Sequence, residues 1–387
     1  MTVTAPKGFN AAGVAAGLKS SGDPDVALVL NTGPDDVAAA VFTTNRFPAA
    51  PVIWSRQVLA GQRCRAVVLN SGGANACTGP EGFADTHTTA EHVAEELGLG
   101  AIDVAVASTG LIGMRLPMDL LTAGVTAAAQ ALSEDGGAEA ARAIMTTDSV
   151  PKTTIQQRGG PDAGWSIGGM AKGAGMLAPS LATMLVVLTT DATADPDVLQ
   201  RALQTATAAS FERVDSDGCL STNDTVIVLA NGASGVTPTE EQLTEALAAA
   251  ATDLAMQLLA DAEGSTKDIA ITVRNAATVD DALTAGRACA RNNLLKTALF
   301  GNDPNWGRVL AAIGTTDAAF EADQVDVTIN GVTVCRGGSI GDPREGVDLT
   351  GRAITIDVDL KAGIEEATIW TNDLSIAYVH ENSAYST

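Results

Sequence analysis

Short apolar runs alternate with helical patterns along the first half of the chain. Runs bounded by Gly, Pro, Asn or Asp predict buried strands at residues 26–30, 38–43, 52–54, 66–69 and 105–108. Residues 81–97 and 116–133 place apolar side chains at helical spacing, with Pro117 acceptable in a first turn. A short helix is expected over 138–145.

The second half carries clearer signals for where elements begin and turn. Asp195-Pro196 predicts a helix start, and residues 237–240 form a capping box before a helix that runs to about Leu259. Asn330-Gly331 predicts a hairpin between strands 325–329 and 332–335. Further strands are expected at 353–360 and 376–380. The alternation predicts an α/β fold of layered sheets flanked by helices, without fixing which strands pair.

A glycine-rich stretch interrupts this pattern near the middle of the chain. Residues 151–179 contain seven glycines and three prolines, a composition that no regular helix tolerates and that predicts a flexible segment. Directly after it, residues 183–190 (TMLVVLTT) are β-branched and apolar, as in a fully buried strand. A flexible segment therefore leads into a core strand that opens with Thr183.

Composition excludes several classes of partner. Lys and Arg number 23 against 46 Asp and Glu, so the net charge is −23, and the absence of a basic cluster argues against nucleic acid. An anionic substrate would need a local basic anchor. No apolar run reaches the length of a membrane span, and the N-terminus lacks a secretory pattern. A cytoplasmic location is expected.

Cysteine and histidine usage argues against metal chemistry. Five irregularly spaced cysteines include no C-x-x-C pair, and the three histidines form no metal-binding motif. Cys77 and Cys219 lie in motif-rich loops, but neither has a histidine nearby in sequence, so both are expected to be buried as small apolar residues. Trp306 is expected to pack at a helix start.

Thr183 is a candidate nucleophile on chemical grounds. A threonine hydroxyl needs an adjacent base, and an N-terminal threonine has one in its own α-amino group, whose ordinary pKa is about 7.7–8.0. The hydroxyl would first attack the Ala182 carbonyl, giving an ester that water hydrolyses. On local pattern alone this is a suggestion, because most threonines pack in cores or cap helices.

Several short motifs occur in order along the chain: PKGF (6–9), AAGV (11–14), VFTTN (41–45), NSGGANACTG (70–79), STGLIG (108–113), AKGAGMLAPSLATML (171–185), DSDGCLSTNDT (215–225), GNDPNWGR (301–308) and ENSAYST (381–387). Through these motifs the chain resembles, over essentially its whole length, the ornithine acetyltransferase (glutamate N-acetyltransferase) family of arginine biosynthesis. One departure is Gly73, where Asn is commoner in the family.

The resemblance implies roles for particular residues. Thr183 would be the nucleophile after cleavage between Ala182 and Thr183, and Thr109 with Gly110 would stabilise the oxyanion. The substrate-binding positions would be Thr146, Lys172, Thr183, Glu263, Asn382 and Thr387. Lys172 would pair with an α-carboxylate and Glu263 with the δ-ammonium of ornithine.

Each of these residues also has a purely structural interpretation. Thr109-Gly110 is common at turns, and Thr146 would suit a helix-end cap. Lys172 would be a solvated lysine and Glu263 a surface acid at a helix end. Asn382 and Thr387 would lie on a frayed terminus.

The reaction implied by the resemblance is a double displacement. Thr183 takes the acetyl group from N-acetylornithine and passes it to glutamate, without metal or cofactor; some family members also accept acetyl-CoA as donor, and no residue decides this point. The resemblance further implies an α chain of 1–182 and a β chain of 183–387 that associate as α2β2. Its implied fold is similar to the β-aminopeptidase type of self-processing hydrolase.

Two other functions remain open at this stage. A self-processed amidohydrolase or aminopeptidase would use the same nucleophile and let water finish the reaction. An uncleaved, non-catalytic binding protein would remain one chain of about 39 kDa.

Overall fold

The computed structural model describes residues 2–160, 164–177 and 184–384, and the α/β class predicted from the sequence is confirmed. Ala182, Thr183 and Thr387 lie outside the described residues. The strands are Phe9–Val14 (β1), Val26–Asn31 (β2), Val37–Phe42 (β3), Ala66–Asn70 (β4), Val104–Ser108 (β5), Lys152–Arg158 (β6), Trp165–Lys172 (β7), Leu185–Thr190 (β8), Thr225–Ala230 (β9), Asp268–Ala276 (β10), Asp326–Ile329 (β11), Val332–Arg336 (β12), Ser339–Ile340 (β13), Ala353–Asp359 (β14) and Glu365–Asn372 (β15).

These strands form three sheets. The first has the order β1-β2-β4-β5, the second β3-β9-β8-β7-β6, and the third β13-β12-β11-β14-β10-β15. Parallel pairing joins β4 to β5, β8 to β9 and β10 to β14. The second sheet therefore interleaves strands from both halves of the chain.

The helices cover these sheets. They are Ala50–Leu59 (α1), Gly79–Leu97 (α2), Met118–Gln130 (α3), Gly137–Ala143 (α4), Pro196–Ala209 (α5), Glu240–Ala260 (α6), Val279–Ala290 (α7), Asn293–Phe300 (α8), Trp306–Ile313 (α9) and Ile376–Ala384 (α10). Helix α6 is long and apolar enough to cross a membrane, but it packs on β6 and β7 and buries Leu247 and Leu254 there. Its apolar character is explained by that core.

Alternation along β8 shows the layering. Leu185 and Val187 belong to the core shared with the first sheet, whereas Val186 and Leu188 belong to the core under α5 and α6. Because successive strand side chains point to opposite faces, the second sheet is buried on both sides. The third sheet has its own core with α7 and α9, where Trp306 packs as expected.

Two predicted strands are wrong. Residues 52–54 belong to α1, where Pro51 sits in the first turn and Val52, Ser55 and Val58 are buried at helical spacing. Residues 376–380 belong to α10, because the Ser375 hydroxyl accepts the Tyr378 N–H at 2.9 Å and so caps a helix.

The glycine-rich stretch also differs from the expectation of a flexible segment, because most of it forms β6 and β7. Gly168 explains why a strand needs glycine there: an added Cβ would lie 2.2 Å from the Thr2 carbonyl oxygen. Close approach of another backbone, rather than flexibility, accounts for this glycine.

Candidate active site

A cavity of about 450 Å³ brings together the described residues that the resemblance marked. It lies beyond the ends of β4, β5 and β7. Its lining includes six of the predicted residues: Thr109, Gly110, Thr146, Lys172, Glu263 and Asn382. Ala182, Thr183 and Thr387 are outside the described residues. Segments that are distant in sequence thus meet at one place.

Thr109 and Gly110 follow directly after β5. Thr109 is buried, and its N–H donates to the Asn70 carbonyl at 2.9 Å. Gly110 has φ +131°, where an added Cβ would lie 2.7 Å from the Gly73 nitrogen. Both the conformation and the contact require glycine. The backbone is thus fixed at Thr109 and Gly110, the two positions that the resemblance assigns to oxyanion stabilisation.

Lys172 is a buried lysine at the end of β7, not a solvated one. Only 2% of it is exposed, and its ammonium donates to the Thr109 hydroxyl oxygen at 3.4 Å. It lies 3.9 Å from the Asp148 carboxylate. Burial lowers the pKa of Lys172, nearby Lys152 lowers it further, and Asp148 opposes both. The lysine therefore contacts the turn that carries Thr109 and Gly110.

Asp148 organises this wall of the cavity and was missed by sequence reasoning. Its carboxylate accepts the N–H groups of Thr146 at 2.9 Å and Gly173 at 2.7 Å, and pairs with Lys152 at 2.6 Å. Burial acts to raise the pKa of Asp148, but Lys172 and Lys152 outweigh it and lower the pKa to about 2. A lone Asp gives no sequence signal for such a role.

Glu263 and Asn382 line the cavity beside Lys172. Glu263 is 8% exposed, so the surface-acid interpretation is wrong; its carboxylate lies against Gly175, where an added Cβ would be 2.8 Å from Oε2. Asn382 belongs to α10 and donates to the Tyr378 carbonyl at 3.1 Å. Its order comes from a helix that the sequence did not predict.

Two aspartates hold the chain on either side of residues 178–183. Asp217 accepts backbone N–H groups of Met176 and Leu177, and the Ser216 N–H donates to the Leu177 carbonyl at 2.5 Å. Asp224 accepts the Met184 N–H at 3.0 Å. Burial raises the pKa of Asp224 well above 3.8, against the Met184 N–H, Ser221 and Lys172. Within the described residues, Asp224 Oδ2 has no hydrogen-bond partner.

The expectation for two cysteines is wrong. Cys77 and Cys219 are both exposed rather than buried. Partial burial raises the pKa of Cys219, as do the negative charges of Asp217 and Asp224. A thiol in such a site stays protonated, so its exposure does not make it a nucleophile.

Several cavity residues carried no predicted role. Ser71 and Asn223 lie inside motifs quoted for the resemblance, so their position gave a usable signal. Lys19, Ser20 and Ser21 also line the cavity, but this loop matches no motif and looks like any polar turn. Only the fold brings it to the site.

Comparison with known proteins gives matches over the full chain. A family model described as the ArgJ family matches residues 10–387. The arginine biosynthesis bifunctional protein ArgJ of Streptomyces avermitilis is 63% identical over 386 residues, covering 100% of both chains. The protein of the same name from Mycobacterium tuberculosis is 59% identical over 393 residues, covering 99% of this chain and 96% of its own.

Two solved structures are similar to parts of this chain. An ornithine acetyltransferase from Mycobacterium tuberculosis, complexed with ornithine, is 62% identical, with a TM-score of 0.45, covering 47% of this chain and 96% of its own. A Burkholderia β-aminopeptidase is 14% identical, with a TM-score of 0.44, covering 68% of this chain and 87% of its own.

Proposed function

The chain belongs to the ArgJ family and is an acyltransferase of arginine biosynthesis, and from this premise we propose how it works. It cleaves itself between Ala182 and Thr183. Thr183 then carries an acetyl group from N-acetylornithine to glutamate as an acetyl-threonine ester. The curated relatives argue against both a non-catalytic binding protein and a simple amidohydrolase.

The proposal is supported mainly by the position of the cavity next to the chain that flanks Thr183. Lys172 pairs in register with Leu185, two residues after Thr183. The same Lys172 lines the cavity with Thr109 and Gly110. Thr183 therefore lies two residues before Leu185, the first residue of β8. The neighbouring strand, β7, ends at Lys172, which lines the cavity.

Asp224 suits the self-cleavage step. When the Thr183 hydroxyl attacks the Ala182 carbonyl, its proton passes to water and a C–O bond forms. The C–N bond then breaks, and the Thr183 nitrogen must gain a proton. That nitrogen is three bonds from the Met184 nitrogen, which donates to Asp224. Burial raises the pKa of this carboxyl and so favours its protonated form, which can donate a proton. Water then hydrolyses the ester and frees Thr183.

Acetyl transfer follows from the new N-terminus. The α-amine of Thr183 takes the hydroxyl proton as the oxygen attacks the acetyl carbonyl. Thr109 and Gly110 stabilise the negative oxygen, and ornithine leaves with the proton on its α-nitrogen. The α-amine of glutamate then attacks the ester, which returns Thr183. These steps use only side chains and the terminus, so we propose that no cofactor or metal takes part.

Pairing in the second sheet supports lasting association of the two chains. β8 and β9, after the cut, lie between β3 and β7, which precede it. Separation of chains 1–182 and 183–387 would break two strand ladders and the shared core. We propose that they stay together and assemble as α2β2. The five free thiols are in keeping with a reducing cytoplasm.

Acetyl-CoA would give the same acetyl-threonine as N-acetylornithine, and we propose that it serves as a second donor. The measurement is free thiol release from acetyl-CoA in the presence of glutamate, without N-acetylornithine. Thiol release no faster than spontaneous hydrolysis would exclude this second activity.

Intact mass of the denatured protein tests the central proposal. The expected result is two fragments in place of one 39.1 kDa chain, the second beginning at Thr183 by N-terminal sequencing. Thr183→Ala should leave one uncut chain without transfer activity, and Thr183→Ser should retain slow cutting. Full activity from an uncut preparation would overturn the mechanism.

Asp224→Asn separates the cutting step from acetyl transfer. Asparagine keeps the acceptor for the Met184 N–H but cannot supply a proton. Uncut chain should accumulate during expression and convert slowly on incubation. Cutting at the wild-type rate would remove the role of Asp224.

A further inference from the structure

The acetyl donor and the acetyl acceptor must bind in one cavity although their side chains carry opposite charges. N-acetylornithine ends in an ammonium, whereas glutamate ends in a carboxylate, and both side chains extend the same number of bonds from Cα. If Glu263 pairs with the ammonium, it repels a carboxylate placed at the same point. The site needs a separate cation for the acceptor's side chain.

Lys19 is a cation in a suitable place. Among the described residues that line the cavity, the only cationic side chains are those of Lys19 and Lys172. Lys172, which contacts Asp148 and Thr109, is the expected anchor for the α-carboxylate that both substrates carry, so the side-chain carboxylate needs the other lysine. Lys19 is half-buried, and its ammonium donates to the Pro24 carbonyl at 2.8 Å, which uses one of its three protons.

The loop that carries Lys19 is held rigidly. The buried Asp25 carboxylate accepts the N–H groups of Ala16 at 2.6 Å, Leu18 at 2.6 Å and Lys19 at 3.0 Å. The Ser71 N–H, from the cavity wall, donates to the Asp25 carbonyl at 3.0 Å. The same residue therefore fixes Lys19 and the turn after β4.

Contacts connect this loop to the turn that carries Thr109 and Gly110. Leu18 packs directly on Gly72, and the Gly73 N–H donates to the Thr109 carbonyl at 3.0 Å. Glu263 lies on a different wall, against Gly175. Burial lowers the pKa of Lys19, but Asp25, Asp23 and Asp148 favour its charged form. The loop that carries Lys19 thus packs on Gly72, whereas Glu263 lies against Gly175, a different segment of the cavity lining.

We propose that Lys19, with the hydroxyls of Ser20 and Ser21, binds the side-chain carboxylate of the acceptor amino acid. This rests on the proposed acetyl transfer. Donor and acceptor then share the anchor for their α-carboxylates and the nucleophile, while their side chains lie on different walls. A protein with a net charge of −23 gains most from such a local cation.

Lys19→Gln tests the assignment with two isosteric acceptors, glutamate and glutamine. We expect kcat/KM for glutamate to fall about tenfold to a hundredfold, as for loss of one hydrogen bond to a charged group. Activity with glutamine, which lacks the charge, should stay close to wild type. Lys19→Arg should restore most of the glutamate activity, and Lys361→Gln, at a surface pair with Asp326, is the matched control.

Exchange of labelled ornithine into N-acetylornithine separates this proposal from the proposed function. Exchange needs the acetyl-enzyme but no acidic acceptor, so Lys19→Gln should retain it. No exchange in the wild type would reject the acetyl-enzyme itself.

Three results would overturn the role of Lys19: equal losses with glutamate and glutamine, an unchanged kcat/KM for glutamate, or a wild type that accepts both equally. If Lys19→Gln fails to fold, Lys19→Met keeps the apolar part of the side chain and replaces it in the test. The quantity compared is again the ratio of kcat/KM for glutamate to kcat/KM for glutamine.

Discussion

Lys172 and Lys296 are both almost fully buried lysines with lowered pKa values, yet their surroundings differ. Lys172 lines the cavity and reaches the Thr109 hydroxyl. Lys296, in α8, donates to the Ser216 carbonyl and to the Thr371 hydroxyl at 3.0 Å, which ties the loop after Val214 to β15. Burial lowers the pKa of Lys296 to about 8. Burial alone therefore does not distinguish the two lysines; the difference is that Lys172 lines the cavity.

The carboxylates around the two lysines differ in the same way. Asp148, beside Lys172, accepts hydrogen bonds from the backbone N–H groups of Thr146 and Gly173, and its pKa is lowered. Asp215 near Lys296 pairs with Arg291 at 2.7 Å, but its Oδ1 has no hydrogen bond among the described residues. Burial outweighs Arg291 and raises the pKa of Asp215 to about 6. The ionised form of Asp148 is therefore stabilised by its surroundings, whereas the ionised form of Asp215 is destabilised by burial.

The largest expected difference comes from Lys172→Met. Removing the ammonium should lower kcat/KM by about a hundredfold to a thousandfold, mainly through KM, as expected when one partner of a buried charge contact is truncated. Stability should also fall, because the buried Asp148 loses Lys172 and keeps only Lys152 as a cationic partner. Steady-state kinetics with both substrates is the measurement; an unchanged KM would remove the anchoring role.

The two aspartates should give opposite pH dependences of stability. Asp215 has a native pKa of about 6 against an ordinary 3.8, so the native state binds more protons between these values. The free energy of unfolding should fall by about 3 kcal/mol as pH rises from about 4 to 6. For Asp148, lowered to about 2, it should rise between about 2 and 4.

Denaturant titrations of Asp215→Asn, Asp148→Asn and the wild type at several pH values measure how the free energy of unfolding changes with pH. Comparison of the variants with the wild type assigns each change to one aspartate. Asp215→Asn should remove the decline between pH 4 and 6. A decline that persists in this variant would assign the slope to other groups.

Lys296→Met should affect stability rather than catalysis. It leaves the Ser216 carbonyl and Thr371 hydroxyl without a donor, which costs about 1–3 kcal/mol for unsatisfied buried groups. The kcat/KM of the folded enzyme should match the wild type. A large change in KM for either substrate would mean that the two lysines are not functionally distinct.

The smallest effect is expected at an exposed ion pair. Arg201 contacts Glu240 through two hydrogen bonds of 2.7 and 2.9 Å, with both side chains about half exposed. Arg201→Gln should leave the melting temperature and kcat/KM near wild type, because solvent screens such pairs. A marked loss of activity would show that this surface ion pair affects catalysis at the cavity.

Local signals in the sequence predicted local structure well. Asp195 caps α5 with its side chain, as predicted. A capping box also begins α6, but Thr239 and Gln242 form it, two residues later than the predicted box at 237–240. Asn330 and Gly331 both have positive φ between β11 and β12, as the hairpin signal required. These features depend on residues within a few positions of one another, so the sequence contains the whole cause.

Signals that depend on the environment failed. Residues 52–54 and 376–380 have strand-like composition, but a proline in the first turn and a serine cap begin helices there. β-propensity reports the burial that a residue meets, and burial is decided elsewhere in the chain.

By itself, the sequence determined the α/β class, the order of motifs and six described residues that share one cavity. Only the tertiary structure showed that Asp148 supports Lys172, that Asp217 and Asp224 hold the chain on both sides of residues 178–183, and that Lys19 reaches the cavity. The physical reason is that charge interactions depend on distance and burial, which sequence spacing does not fix.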